Sequence, residues 1–133
     1  MKVVAILSCS LIYSLVFWAN PQNELDKSIA QGKAIYTENC ITCHLANGEG
    51  VKETFPPLAK ADFLLKYPEK SIHAIKFGLH GPIKVNGINY SNAMPPSGLE
   101  DDEIADVMNY IRNSFGNKNT QLVTAKMVAA VKE

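Results

Sequence analysis

Five consecutive residues, Cys40, Ile41, Thr42, Cys43 and His44, bring two soft nucleophiles and an imidazole together. Near the end of a helical segment, thiols at this spacing reach the two vinyl groups on one edge of a porphyrin and add to them as thioethers. His44, next in the chain, is then placed beneath the ring with a nitrogen for iron. Cys-x-x-Cys-His is therefore a signal for c-type haem attachment. Two other chemistries use such residues. A zinc site would need four ligands, with His73 or His80 joining Cys40, Cys43 and His44, and no second cysteine pair exists. A thioredoxin-like dithiol would follow a buried strand of a βαβ unit, whereas here the pattern predicts a helix ahead of the motif.

What such a haem does is decided by its sixth iron position. Met94 sits in a loop and is followed by Pro95 and Pro96. A methionine thioether opposite histidine raises the potential toward that of an electron carrier. The two prolines stiffen the chain and reduce the entropy lost in holding a weak ligand. Read blandly, Met94 is a loop methionine acting as filler. Met108 and Met127 fall at helical spacing, where core packing is expected. His73 shares a helix with Ile72 and Ile75, and His80 lies in a glycine-flanked turn; both are expected to be packing or surface residues. Tyr36, Phe55, Phe63, Tyr90 and Tyr110 are expected to line the core or the haem wall.

The elements that position these residues can be read from periodicity. Leu25, Ile29, Gly32 and Tyr36 form one stripe of an amphipathic helix over residues 23–39, with Asn23 as its expected N-cap. Gly32 on that stripe costs about 1 kcal/mol relative to alanine, which suggests a close backbone approach there. The stretch 46–58, with Gly48, Gly50, Pro56 and Pro57, is a loop. Residues 62–66 suit one short helical turn, and Pro68 opens a better helix that Gly78 stops. Ile83, Val85, Ile88 and Tyr90 alternate around Asn86-Gly87, the pattern of a tiny hairpin with a type I′ turn. Ile104, Val107, Ile111 and Phe115 predict the strongest helix, running to Gly116, with four acids from Glu100 to Glu103 at its start and Arg112 solvated near its end. After a polar linker, Thr124 caps a last short helix through Met127, Val128 and Val131. The fold class is all-α, and its middle is poorly able to make a core of its own.

Composition agrees. The 133 residues suit one domain, and 13 basic against 13 acidic side chains exclude a nucleic-acid binder held by a broad basic face. Three cysteines are too few, and of the wrong parity, for a disulfide framework. Met1 and Lys2 precede an apolar run to Ala19 that breaks at Asn20-Pro21, which reads as a signal peptide over 1–19. Phe17 is bulky for a cleavage site, so an uncleaved anchor stays open, and with it the only expected membrane contact. Cys9 and Lys2 belong to that segment, which leaves the remainder one acid in excess. Six lysines between Lys52 and Lys84 face three acids, whereas 100–106 carries five acids. The expected division is a signal at 1–19, a haem domain at 20–117, and a linker with a short helix at 118–133.

Over residues 23–117 the chain resembles the small bacterial class I cytochromes c. Gly32 and Tyr36 stand where that family has its helix-crossing glycine and an aromatic, and Val107, Tyr110 and Ile111 match its C-terminal helix. The runs HGPIKVNGINY, NAMPPSG and YIRNSFGN, with a trailing VTAKMVAAV, are similar to monohaem cytochromes found free or fused to periplasmic oxidoreductases. In those relatives Ser or Thr often replaces Glu100, a weaker N-cap, so a start at Asp101 stays open. The resemblance implies crossing terminal helices around one haem c, held by Cys40 and Cys43, with His44 and Met94 as axial ligands. It also implies that the Pro56 carbonyl accepts the other ring hydrogen of His44. The expected function is single-electron transfer outside the cytoplasm, between redox proteins such as a dehydrogenase, reductase or terminal oxidase, with no substrate bond made or broken. Two alternatives are a haem subunit of a larger oxidoreductase and, were Met94 displaced, a peroxidase or gas sensor.

Overall fold

In a computed structural model describing residues 21–133, helix α1 (Pro21–Asn39) crosses helix α5 (Asp101–Ile111) at Gly32. A Cβ added at Gly32 would overlap the Asp106 carbonyl oxygen and stand 2.8 Å from Tyr110 Cβ. The helix-weakening glycine is thus what lets the two backbones touch. The 1–19 segment, with its signal and Cys9, lies outside the described residues. Between the crossing helices come α2 (Ile41–His44), α3 (Asp62–Lys66), α4 (Pro68–Phe77), strands β1 (Ile83–Val85) and β2 (Ile88–Tyr90), and after α5 comes α6 (Ala125–Ala130). Among the described residues the architecture is all-α apart from an antiparallel hairpin, in which Ile83 faces Tyr90 and Val85 faces Ile88.

Local chemistry explains most of these elements. Pro68 occupies the first turn of α4, and Gly78, at φ 86°, ends it. Asn86 and Gly87 turn the hairpin with φ of 50° and 83°, as a type I′ turn requires. The turn is fastened to α3: Asn86 N–H donates to Asp62 Oδ1 at 2.7 Å, and Asp62 N–H donates to Asn86 Oδ1 at 3.0 Å. α5 starts at Asp101, and the Glu100 N–H donates to Glu103 Oε2 at 2.9 Å, one half of a capping box.

Several expectations need correction. Asn23 lies inside α1, which already includes Pro21, so it is not the N-cap. α5 stops at Ile111 and does not continue to Gly116. Asn113 N–H donates to Tyr110 O at 3.0 Å, a tightened turn, and Asn117 Nδ2 takes the Ile111 carbonyl at 2.8 Å. Phe115 then adopts φ 57°, and its ring turns back onto Tyr36 and Tyr110, with centroids 5.2 Å and 5.5 Å away. Its helical spacing in the sequence reflects core contact made from outside the helix. Arg112, expected in solvent, is 2% exposed, and its Nη1 donates to Gln121 O. Burial lowers its pKa.

The cause of that burial is the C-terminal stretch, which lies along α5. Asn109, fully buried, donates from Nδ2 to Val123 O and to Ser28 Oγ, and accepts from Val123 N–H at 2.8 Å. Val123 and Val128 are buried with it. The polar linker is therefore pinned to the helix pair, and Thr124 caps α6 as expected, accepting from Met127 N–H. Met108 packs in the core, but Met127 is exposed, because it lies on the outer side of a one-and-a-half-turn helix.

Candidate functional site

Cys40 ends the run of α1, its N–H donating to Tyr36 O at 2.9 Å, and α2 carries the chain through Cys43 to His44, whose N–H donates to Cys40 O at 3.0 Å. This turn presents the two cysteines and the imidazole to one apolar cleft of about 260 Å³. Tyr36, buried beneath it, donates its hydroxyl to Leu45 O at 2.6 Å and fixes the exit from α2. Burial raises the Tyr36 pKa, so the hydroxyl keeps its proton.

The loop 45–59 folds back so that the Pro56 carbonyl lies 2.9 Å from His44 Nδ1. Gly50 makes this return possible. Its φ is 61°, and a Cβ there would meet the Phe55 carbonyl and stand 2.7 Å from Pro56 O. Gly50 N–H in turn donates to His44 O at 3.0 Å, and Leu58 and Ala59 both donate to Gly48 O. A carbonyl only accepts, so Nδ1 bears the proton and Nε2 keeps its lone pair. Burial pushes the His44 pKa down, against the opposing effect of the Pro56 bond, and keeps the imidazole neutral. Burial together with the neighbouring Cys43 pushes the Cys40 thiol up to about 11, whereas Cys43 is exposed.

Met94 lines the same cleft, half-buried, between the exposed Ala93 and Pro95. It is held there by a pairing the periodicity did not reveal: Leu79 N–H donates to Met94 O at 2.8 Å, and Met94 N–H donates to Leu79 O at 3.0 Å. Ser97 N–H adds a bond to Ile75 O at 2.9 Å. The only local hint was Leu79 following the helix-ending glycine. The remaining walls come from Pro57, Leu58, Phe63, Leu64, Ala74 and Ile75, from Ile83 and Val85 of the hairpin, and from Val107 and Ile111 of α5. Among the described residues no charged side chain lines the cleft. His73, its ring tilted against that of Phe77 with centroids 5.1 Å apart, and the exposed His80 stay outside it, as does Tyr90.

The competing metal reading fails on this geometry. Among the described residues no three His, Cys, Asp or Glu side chains are grouped to hold an ion, so neither His73 nor His80 completes a zinc site with the cysteines. The dithiol reading fails as well, since helix α1 leads directly into the motif where a buried strand would be needed. The donor set does suit a porphyrin iron: two thiols and one neutral imidazole on one turn, a thioether on a separate segment, and apolar walls between.

The cytochrome c family matches residues 29–115, so α6 and the segment before it lie beyond the match. Cytochrome c-552 of Thermus thermophilus is 40% identical over 93 residues, covering 66% of this chain and 70% of the relative. For a second cytochrome c-552 of the same species the identity is again 40%, but the chain spans 62% of its length, less than two thirds. The alcohol dehydrogenase (quinone) cytochrome c subunit of Gluconobacter oxydans (strain 621H) is 35% identical over 97 residues, covering 71% of this chain and only 20% of that longer protein. The chain belongs to the cytochrome c family, as a small class I electron-transfer protein whose Cys40 and Cys43 are the covalent attachment points of one haem c.

Proposed function

We propose that this protein is an exported carrier of single electrons, its iron held between His44 Nε2 and the Met94 sulfur, and that it serves a dehydrogenase. The observation that carries the ligand assignment is the 2.9 Å contact of His44 Nδ1 with Pro56 O, which leaves Nε2 free to bind in a cleft that Met94 also lines. The bound haem supplies an iron that gains and loses one electron. The chain does the rest. Cys40 and Cys43 tether the porphyrin, Pro56 sets the tautomer and orientation of His44, and the Leu79 pairing holds Met94 in place. Apolar walls exclude water, and burial together with a thioether ligand raises the potential.

Were His44 and Met94 both to hold the iron, the chain would leave no open position for peroxide or a gas, which favours the carrier over the peroxidase or sensor. Export is supported by the apolar 1–19 segment. Among the described residues no helix is long and apolar enough to cross a membrane. The dehydrogenase partner is supported by the similarity to a dehydrogenase cytochrome subunit.

A spectroscopic redox titration of the holoprotein and of Met94→Ala tests the ligation. The ferric parent is expected to show the far-red band of sulfur bound to iron, and Met94→Ala to lose it and titrate at a lower potential. A band that is missing from the parent, or unchanged in the variant, removes Met94 as ligand and returns the peroxidase or sensor reading. Copurification with a dehydrogenase separates a docked subunit from a free shuttle.

A further inference from the structure

The segment that carries Met94 hangs on the end of α4. Leu79 exchanges both backbone hydrogen bonds with Met94, and Ile75 O accepts from Ser97 N–H. Between these two points of attachment stands Lys76, and its ammonium is shared. It lies 2.7 Å from Asp101 Oδ1, at the first residue of α5, and donates to Val128 O of α6 at 3.2 Å. The lysine side chain is 21% exposed and its aspartate partner 37%, so the pair is partly shielded from solvent. Both anchors are themselves fixed, α5 by its crossing with α1 at Gly32 and α6 by the fully buried Val128. The exposed Lys66–Asp62 pair, at 3.5 Å, spans one turn of α3, and its aspartate is tied to the hairpin turn at Asn86, not to the residues that hold Met94.

We propose that Lys76 is a positioning residue for Met94, locking the turn from which the 94–97 segment hangs to α5 and to the C-terminal segment. The proposal rests on the reading of Met94 as the second axial ligand. A thioether is a weak ligand, so its hold depends on how seldom the segment opens. Loosening the α4 turn raises the open fraction, and the apparent affinity of an external ligand rises in proportion.

Imidazole is the probe, used above its own pKa, where it is neutral and its binding does not respond directly to the loss of a cation. It is titrated into the ferric holoprotein and followed by loss of the far-red band, with the denaturant midpoint measured alongside. Lys76→Met, which keeps the stem, is expected to bind imidazole about fivefold more tightly than the parent, as loss of a partly shielded pair allows. Asp101→Asn should shift in the same direction. Lys76→Arg, which keeps charge and donors, and Lys66→Met, which removes an exposed cation, should stay within about twofold. The proposal is overturned if Lys76→Met binds imidazole like the parent while Met94→Ala loses the band; ligation then stands and the positioning role does not. It is overturned equally if Lys66→Met shifts as much, or if Lys76→Met lowers only the denaturant midpoint. A parent without the band overturns the ligation reading, and this proposal with it, before any Lys76 variant is compared.

Discussion

The backbone of Gly32 rests against the Asp106 carbonyl so closely that a methyl group at Gly32 would occupy the space of that oxygen. The crossing sets the position of α5, and with it Val107 and Ile111, which form one wall of the haem cleft. Alanine would gain about 1 kcal/mol of helix propensity at this position. The obstacle is backbone and a Cβ, neither of which can swing aside, so overpacking prevails. Gly32→Ala is expected to destabilise the holoprotein by about 3 kcal/mol or more in denaturant unfolding. Unchanged or higher stability would show that the helices can slide apart at little cost.

That crossing was legible because glycine on an apolar stripe is locally anomalous. Cys40, Cys43 and His44 were legible because haem attachment packs its chemistry into five consecutive residues, and Asn86-Gly87 because a two-residue turn carries its own signal. What escaped notice depends on partners distant in sequence. Leu79 holds Met94 through backbone atoms, which no side-chain pattern encodes. The end of α5 at Ile111 is set by Asn117 reaching back to its carbonyl, and apolar spacing alone ran the helix on to Phe115. Asn109 and, just past the helix end, Arg112 are buried against the C-terminal stretch, yet both are polar, so apolar periodicity carries no signal for that contact.

Asn109 is the centre of that contact. Its side chain satisfies the Val123 N–H and carbonyl and donates to the Ser28 hydroxyl oxygen, all out of water, while Ser28 Oγ donates in turn to Asp106 Oδ1. Asn109→Ala would leave the Val123 groups buried without partners, at a cost of about 3 kcal/mol. The loss should be local first. Amide exchange at Val123 and proteolysis within 118–124 are expected to accelerate well before the haem domain unfolds. If both rates stay at parental values, the C-terminal stretch is held by Val123 and Val128 packing alone.

The hairpin that supplies Ile83 and Val85 to the cleft has an acid-sensitive tie. The Asn86 N–H beside Asp62, and then Lys66, hold the Asp62 carboxyl below the usual carboxylate range. With its folded pKa depressed, this group favours the folded hairpin at any pH above its unfolded value. The contribution is lost as pH falls through the folded value, where the folded state finally takes up the proton. The protection of the Asn86 amide, taken against the intrinsic exchange rate at each pH, should therefore fall on acidification, and less so in Asp62→Asn, which keeps an acceptor but does not titrate. An Asp62 carboxyl that titrates at or above its ordinary value contradicts the tie.

Removal of the tether tests the cofactor assignment directly. Thioether formation saturates one vinyl group per cysteine, so Cys40→Ala or Cys43→Ala should each leave one vinyl conjugated with the ring. The reduced pyridine complex of either variant is then expected to absorb at longer wavelength than that of the parent, with haem still bound to the denatured chain. Cys40→Ala combined with Cys43→Ala should release haem on denaturation, because no thioether then ties the porphyrin to the chain. The tethers also restrict the unfolded chain by tying it to the porphyrin, so each loss should lower stability beyond the contacts removed. Haem that remains attached to the denatured double variant would place the covalent link elsewhere in the chain.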